Sequence, residues 1–277
     1  MPTEAGMVDA SSKIDAFVPD GPPDDIDADG VKNPVDNCPT VANTMQFDED
    51  ADMKGDECDE CPQLGASADH ADTDGDKIGN ACDPRPTMAG DVLQYWNGFH
   101  TASATLPDGI VMIHGTAARW SVAGGFLVFD RVNDDWGMPA VDVAKTAHTV
   151  DTFMEITAEF AGTASAAGVA VDIAANDTDC YDCQARFDVE RREMWRRNPA
   201  ALDGWSALGG TNVTTPMDSY RVILQRTASD TSCTTTRLNQ PSVQLGNSDD
   251  TSDNTRGGLF ARNVDARFKY LAIYTSP

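Results

Sequence analysis

The feature that most constrains this chain is an acidic segment, residues 24–87, which repeats itself and has almost nothing apolar to bury. Its period is roughly 23–24 residues, and its three copies are DDIDADGVKNPVDNCP (24–39), DEDADMKGDECDECP (48–62) and DTDGDKIGNACDP (72–84). A segment of this size with so few apolar side chains cannot form a hydrophobic core. Metal ions and disulfides are the remaining means of holding it together, so we expect both here.

Aspartates alternate within each copy at the spacing of a calcium loop. Calcium takes about six to eight oxygen ligands, which in EF-hand loops fall at positions 1, 3, 5, 7 (a backbone carbonyl), 9 and 12. All three copies place oxygen ligands at these positions. The predicted ligands are Asp25, Asp27, Asp29, Val31, Asn33 and Asp36 in loop one, Asp48, Asp50, Asp52, Lys54, Asp56 and Asp59 in loop two, and Asp72, Asp74, Asp76, Ile78, Asn80 and Asp83 in loop three.

The loops depart from EF-hands in three respects. Gly30 occupies the sharp turn of loop one, whereas Met53 and Lys77 stand at that position in loops two and three. Position 12 is always an aspartate instead of the longer glutamate, so water or a neighbouring repeat must complete each coordination shell. The intervals between loops are too short and too rich in Pro, Gly and Asp for flanking helices.

Repulsion between carboxylates indicates how this segment folds. The ligand positions contain 13 carboxylates, and no core opposes their repulsion when metal is absent. We therefore expect calcium binding to be the folding event of the segment. A solvated acidic tail, the simpler interpretation, would show neither the fixed spacing nor the cysteines.

The run DNCPTVANTMQFDEDADMKGDECDECP (36–62) closely resembles thrombospondin type 3 repeats. That family pattern starts with DNCP, continues with an Asn and a Gln, and ends in alternating aspartates with a Cys-Asp pair. The matching residues are Asp36, Asn37, Cys38, Pro39, Asn43, Gln46, Asp48, Asp50, Asp52, Asp56, Cys58 and Asp59. The resemblance implies a chain wrapped around a row of calcium ions, with disulfides Cys38–Cys58 and Cys61–Cys82.

Residues 88–277 have the pattern of an antiparallel β-sandwich. Short stretches alternate apolar and polar residues between Gly, Asn, Asp and Pro, and no long stretch has helical periodicity. On 153–160, for example, Met154, Ile156, Ala158 and Phe160 share one face. The predicted strands are 125–132, 152–160, 168–173, 185–190, 219–227 and 267–275. Many short strands over about 190 residues predict a mainly β protein, in which an irregular, calcium- and disulfide-stabilised repeat segment precedes the sandwich.

The ending TRGGLFARNVDARFKYLAIYT (255–275) resembles the close of a concanavalin A-like (laminin G-like) jelly roll. In related sandwiches, a cysteine on the strand with CQARF faces one on the strand with SCTTT. The resemblance therefore favours a Cys183–Cys233 disulfide and leaves Cys180 unpaired. A tight Cys180–Cys183 bridge is the main alternative.

Catalytic signals are weak. Glycosidases of the laminarinase group use a Glu-x-Asp-x-x-Glu strand motif that sets two carboxylates about 5 Å apart. The nearest run here, Asp188-Val-Glu190-Arg-Arg-Glu193, has its first two acids in the wrong order. Arg191-Arg192 is predicted to form a hairpin turn that carries Glu193 away, so we do not expect an enzyme.

Two tryptophans are candidates for stacking on a ligand. Trp136 and Trp205 lie in the loop-like contexts NDDWG and LDGWS. A sandwich of this size usually buries several Trp, so a core position is the alternative for either one.

Charge and cysteines limit the partners and the compartment. The formal net charge is −25, and residues 1–87 hold 22 Asp and Glu against 5 Lys and Arg. Nucleic acid and anionic lipid surfaces are therefore disfavoured as partners, because they repel a chain of this charge, and cations are favoured. No run approaches the roughly 18 apolar residues of a membrane span. Seven cysteines indicate an oxidising compartment, so we predict an extracellular or cell-surface protein whose export signal is not visible in this chain.

Three regions follow from these patterns. Residues 1–23 are predicted to be a disordered leader or tether, 24–87 the calcium-binding repeats, and 88–277 the sandwich. The predicted function is an extracellular calcium-binding protein, in which a calcium-rigidified stalk presents a lectin-like domain to carbohydrate or to a cell-surface protein in adhesion. The alternative is a secreted, laminarinase-like glycoside hydrolase that uses the repeats as a spacer.

Overall fold

A computed structural model describes residues 24–130, 136–144, 148–159, 164–176, 178–197, 204–214, 216–227, 229–248 and 254–277. The predicted leader, residues 1–23, lies outside these ranges. Regular structure within them is β, apart from a 3-10 turn at Ala117–Arg119. No helix in the described part of the chain is long and apolar enough to cross a membrane.

The described strands form two antiparallel sheets, which confirms the predicted sandwich. In chain order they are β1 (Val92–Asn97), β2 (Ile110–His114), β3 (Trp120–Ala123), β4 (Phe126–Phe129), β5 (Trp136–Asp142), β6 (His148–Glu159), β7 (Ala166–Val171), β8 (Cys180–Arg186), β9 (Arg191–Arg197), β10 (Trp205–Asn212), β11 (Ser219–Arg226), β12 (Thr231–Arg237), β13 (Val243–Asn247), β14 (Arg256–Arg262), β15 (Val264–Phe268) and β16 (Leu271–Thr275).

The long strand β6 organises the larger sheet. Among the described strands, this sheet has the order β13-β12-β11-β6-β15-β4-β3, and β16 pairs with the first residues of β6 while β1 pairs with β16. The other sheet has seven described strands in the order β10-β9-β8-β7-β14-β5-β2. The pair β1 and β16 therefore lies beside the middle of the larger sheet, close to where the repeats enter.

Alternation along the strands places the core between the two sheets. Met154 and Ile156 of β6 are buried in the main apolar cluster, whereas Thr157 is exposed; Phe160, which was assigned to the same face, lies outside the described residues. The last predicted strand, 267–275, is in fact two strands. The chain breaks at residues 269–270, where the Tyr270 side chain joins a separate apolar cluster under the repeats.

The repeat segment has no strand or helix between residues 24 and 91. Its disulfides are Cys38–Cys58 and Cys61–Cys82. Side-chain hydrogen bonds hold the turn that precedes loop two: the Gln46 amide donates to Asp36 over 2.9 Å, and its oxygen accepts from the Asn37 backbone over 2.9 Å. The same Gln46 amide donates to the Asn43 side-chain oxygen over 2.7 Å, so the Asn and Gln of the repeat pattern act as turn residues.

Repeats two and three lie against the larger sheet of the sandwich. Cys61, Ile78 and Cys82 form one buried cluster with Tyr270, Ala272 and Tyr274. The Gln63 amide donates to the Tyr274 hydroxyl over 2.7 Å and to Asp151 over 3.2 Å. The predicted stalk is therefore docked on the domain that follows it.

Candidate functional site

All three loops share a backbone path in which positions 4 and 6 are left-handed. The φ angles are 62° at Ala28, 61° at Ala51 and 87° at Gly75 for position 4, and 96° at Gly30, 77° at Met53 and 77° at Lys77 for position 6. Loops two and three thus keep the turn without its glycine. Each non-glycine residue in this conformation costs roughly 1–2 kcal/mol.

Replacing Met53 by glycine should tighten calcium binding by loop two. Met53 is 85% exposed, so the substitution removes backbone strain of about 1 kcal/mol and little packing, which is about a fivefold gain in affinity. Gly30→Ala in loop one is the matched control, because a Cβ there meets no heavy atom within 4 Å and only strain is added. Calcium titration calorimetry should show opposite changes, and unchanged affinities in both variants would contradict the strain argument.

Backbone N–H groups orient the carboxylates at positions 1 and 5. The position-1 aspartates accept across the turn, with distances of 3.1 Å from Gly30 to Asp25, 3.0 Å from Met53 to Asp48 and 2.9 Å from Lys77 to Asp72. The position-5 aspartates accept from position 7, with distances of 2.7 Å from Val31 to Asp29, 2.9 Å from Lys54 to Asp52 and 3.2 Å from Ile78 to Asp76. As a result, the carboxylates of positions 1, 3 and 5 in each loop offer oxygens within 4.8 Å of one another.

The position-3 aspartates have buried oxygens without hydrogen-bond donors. These are Oδ2 of Asp27, Oδ2 of Asp50 and both oxygens of Asp74. Burial raises the pKa of Asp50 to about 7, and the charges of Asp52 and Asp59 add to the effect. A desolvated carboxylate without a donor is costly unless a cation compensates it. Each loop therefore offers an all-oxygen donor set for a metal ion.

The position-9 side chains close the loops. Asn33, Asp56 and Asn80 accept from the backbone N–H of position 2, with distances of 3.1 Å from Ile26, 2.8 Å from Glu49 and 3.2 Å from Thr73. The second oxygen of Asp56 faces the sandwich, where Trp96 Nε1 lies at 3.3 Å and His100 Nε2 at 3.0 Å. Asp56 thus attaches loop two to the sandwich.

The position-12 aspartates of loops two and three each lie in a cluster that combines two loop carboxylates with one residue from outside the loop. Asp59 lies with Asp52 and His70, and Asp83 lies with Asp76 and Asp91, in each case with ligand atoms within 4.8 Å. Burial raises the pKa of Asp83 to about 7, and the neighbouring Asp91 and Asp76 add to the effect. His70 and Asp91 lie outside the repeated spacing, so the sequence pattern could not predict that they join these clusters.

The sandwich has a pocket on the outward face of its seven-stranded sheet. Asp182 and Gln184 of β8 line it, together with Trp195 of β9, Trp205 of β10 and Phe260 of β14. Asp182 is 1% exposed, and neither of its carboxylate oxygens has a hydrogen-bond donor. Burial raises the pKa of Asp182 well above the usual range of a carboxyl, and the charge of Glu193 adds to the effect.

Sequence reasoning missed Asp182. The available signal was the alternation in CYDCQAR, where Tyr181 and Cys183 point into the core and Asp182 and Gln184 point outwards. The two predicted ligand-stacking residues are close together: the rings of Trp136 and Trp205 are 6.4 Å apart, edge to face. Trp205 lines the pocket, and Trp136 packs on Phe260 beside it.

The carboxylates of the weak glycosidase motif lie on different elements. Asp188 and Glu190 lie in the turn between β8 and β9, and Glu193 is on β9 itself. The hairpin turn is thus residues 187–190, so the prediction of a turn at Arg191-Arg192 was wrong. Glu193 pairs across the strands with Gln184, which lines the pocket, so Glu193 lies at the edge of the pocket.

The remaining cysteines lie on β8 and β12. A disulfide joins Cys183 to Cys233 and thereby links the two sheets. Cys180 is buried and forms no disulfide.

Comparison with known families identifies the first repeat. Residues 23–46 match the family model of the thrombospondin type 3 repeat. The match confirms the resemblance inferred from the sequence, and it includes Asp25, Asp27, Asp29 and Asp36 of loop one. No curated protein sequence matches the chain.

Solved structures share the fold of the sandwich at low sequence identity. The GH43 protein BlXynB from Bacillus licheniformis matches with a TM-score of 0.51 and 11% identity, over 65% of this chain and 39% of that one. The carbohydrate-binding module CBM66 from Bacillus subtilis matches with a TM-score of 0.49 and 11% identity, over 60% of this chain and 94% of that one. The chain thus combines a thrombospondin type 3 repeat with an antiparallel β-sandwich.

Proposed function

We propose that this chain is an extracellular calcium-binding module, in which ions in loops one to three fix the repeats against a carbohydrate-binding sandwich. The observation that carries the proposal is the donorless carboxylate oxygen at position 3 of every loop, within 4.8 Å of the carboxylates at positions 1 and 5. A cation in each loop would compensate these three carboxylate groups, which recur at one spacing. The disulfides support an oxidising, extracellular setting.

For the sandwich we propose binding without hydrolysis. A pocket with aromatic walls and a buried polar group suits a sugar, whose apolar face stacks and whose hydroxyls donate hydrogen bonds. The neighbouring Glu193 is already engaged by Arg186 at 3.1 Å, Arg191 at 3.3 Å and Trp195 Nε1 at 2.7 Å. It is therefore not available as a nucleophile or a base. Presentation of this pocket at a cell surface would serve adhesion.

Calcium titration calorimetry of the oxidised, chelator-treated chain tests the proposal. The chain should bind at least three ions, and Asp27→Asn, Asp50→Asn and Asp74→Asn should each remove or weaken one site by about tenfold or more, because each removes a charge that coordinates the ion. Asp24→Asn is the matched control: it makes the same change on a side chain that is 82% exposed and pairs with Lys32. Equal affinity in the control and the loop variants would rule out these calcium sites.

A further inference from the structure

Arginines are concentrated on the outward face of the seven-stranded sheet, although the chain has a net charge of −25. Arg186 and Arg262 line the pocket. The guanidinium of Arg197 lies 5.4 Å from the Trp136 ring and 5.5 Å from the Trp205 ring. Three guanidinium groups thus lie in or beside the pocket of a strongly acidic protein.

The two pocket arginines differ in their partners. Arg186 is paired with Asp188 at 2.6 Å and with Glu193 at 3.1 Å. Arg262 is exposed, and among the described residues no carboxylate pairs with it. An exposed guanidinium at the rim of an aromatic pocket is a ready partner for a ligand carboxylate, which it can bind through two parallel hydrogen bonds.

The floor of the pocket adds a second requirement. Both Asp182 oxygens are buried without donors, so an occupant with hydrogen-bonding groups at that depth would satisfy them. Burial raises the pKa of Asp182, which disfavours a negative charge at the pocket floor. The cavity volume is about 190 Å³, below the roughly 300–1,000 Å³ of pockets for drug-sized ligands, which suits a single sugar unit.

We infer that this pocket binds one acidic sugar residue, a uronic acid, with its carboxylate on Arg262, its hydroxyls at Asp182 and Gln184, and its apolar face on Trp205. This inference rests on the proposed carbohydrate-binding function of the sandwich and specifies its ligand class. The complementary charge of the arginine-rich face selects acidic over neutral saccharides.

The test uses the full oxidised chain in calcium, with binding measured on an array of oligouronates, their methyl esters and neutral oligosaccharides. The oligouronates should bind, and methyl esterification or Arg262→Gln should each weaken binding by about tenfold or more, as expected for loss of a charged hydrogen bond. Arg256→Gln, an equal change at the other end of β14 where Arg256 pairs with Asp142, should have no effect. Trp205→Ala should also abolish binding.

Two results would overturn the inference. Only the second of them would also contradict the proposed carbohydrate-binding function. If neutral oligosaccharides bind as well as oligouronates and Arg262→Gln changes nothing, the acidic-sugar assignment fails while carbohydrate binding stands. If no saccharide binds to the calcium-loaded chain, both the assignment and the proposed carbohydrate function fail. Calcium binding by the repeats is unaffected in either case.

Discussion

Removing calcium is expected to loosen the larger sheet of the sandwich as well as the repeats. Without ions, only the two disulfides and the contacts with the sandwich oppose the repulsion between the loop carboxylates, and we expect residues 24–87 to become cleavable by protease. Gln63 would then lose its hydrogen bonds to Asp151 and Tyr274, and the cluster around Tyr270 would lose Cys61, Ile78 and Cys82. Each lost hydrogen bond costs about 1 kcal/mol, so amides of β1 and β16 should exchange on the order of tenfold faster or more.

Hydrogen exchange with and without chelator measures this effect strand by strand. The internal control is the seven-stranded sheet, where β8 and β9 pair with each other in the sheet opposite the one that contacts the repeats. Faster exchange in β1 and β16, with β8 and β9 unchanged, is the expected result. Unchanged exchange in β1 and β16, despite cleavage of the repeats, would mean that the sandwich gains nothing from their docking.

Asp151→Ala is expected to destabilise the protein by about 3 kcal/mol. The Asp151 side chain is 3% exposed and accepts hydrogen bonds from Arg221, over 2.6 Å, from Tyr270, over 3.1 Å, and from Gln63, over 3.2 Å. Its removal leaves a mostly buried guanidinium without its counter-charge, which costs about 3–5 kcal/mol. We expect the lower end because the Arg221 side chain is 25% exposed.

Asp142→Ala is the matched control for that experiment. Asp142 also pairs with an arginine on a neighbouring strand, Arg256 at 2.6 Å, but its side chain is 66% exposed. Solvent screens such a pair, so its loss should cost less than about 1 kcal/mol. Denaturant unfolding of both variants in calcium gives the comparison, and equal losses would show that Asp151 has no special part in the junction.

These two effects have one origin in the junction between repeats and sandwich. Asp151 connects β6 to Arg221 on β11, to Tyr270 beside β16 and to Gln63 of the repeats. Asp91, just before β1, lies within 4.8 Å of Asp76 and Asp83 of loop three, and its backbone N–H donates to Asp76 over 2.8 Å. The loops and the sandwich are therefore joined by polar groups at both Gln63 and Asp91, so we expect a change in ion occupancy to alter the stability of the sheet.

Local spacing explains what could be predicted from the sequence. A calcium loop is built by about 12 consecutive residues, so the positions of Asp25, Asp27 and Asp29 suffice to place three carboxylates together. Strands were predicted for a similar reason, because alternation along β6 is a local consequence of the side-chain period of two. Where a turn interrupted the alternation without a Gly or Pro, as at Lys269 and Tyr270, one strand was predicted in place of two.

Contacts between distant residues could not be predicted in this way. Asp182 becomes a pocket floor only because β8 lies between β7 and β9, with Trp205 and Phe260 supplied by β10 and β14. Asp56 was expected to face an ion, yet the structure turns one of its oxygens towards Trp96 and His100, which follow it by 40 residues or more.

The amino-acid sequence by itself determined the repeated acidic loops, the β character of the sandwich and the need for stabilisation other than a core in residues 24–87. Only the tertiary structure decided that the repeats lie on the larger sheet and that a pocket with Asp182 at its floor opens on the other one. The physical reason is the distance along the chain between the residues that interact. Loop geometry and strand alternation depend on residues that are close in sequence. Docking at Gln63 and the pocket around Asp182 depend on which strands pair, and that is decided by burial over the whole domain.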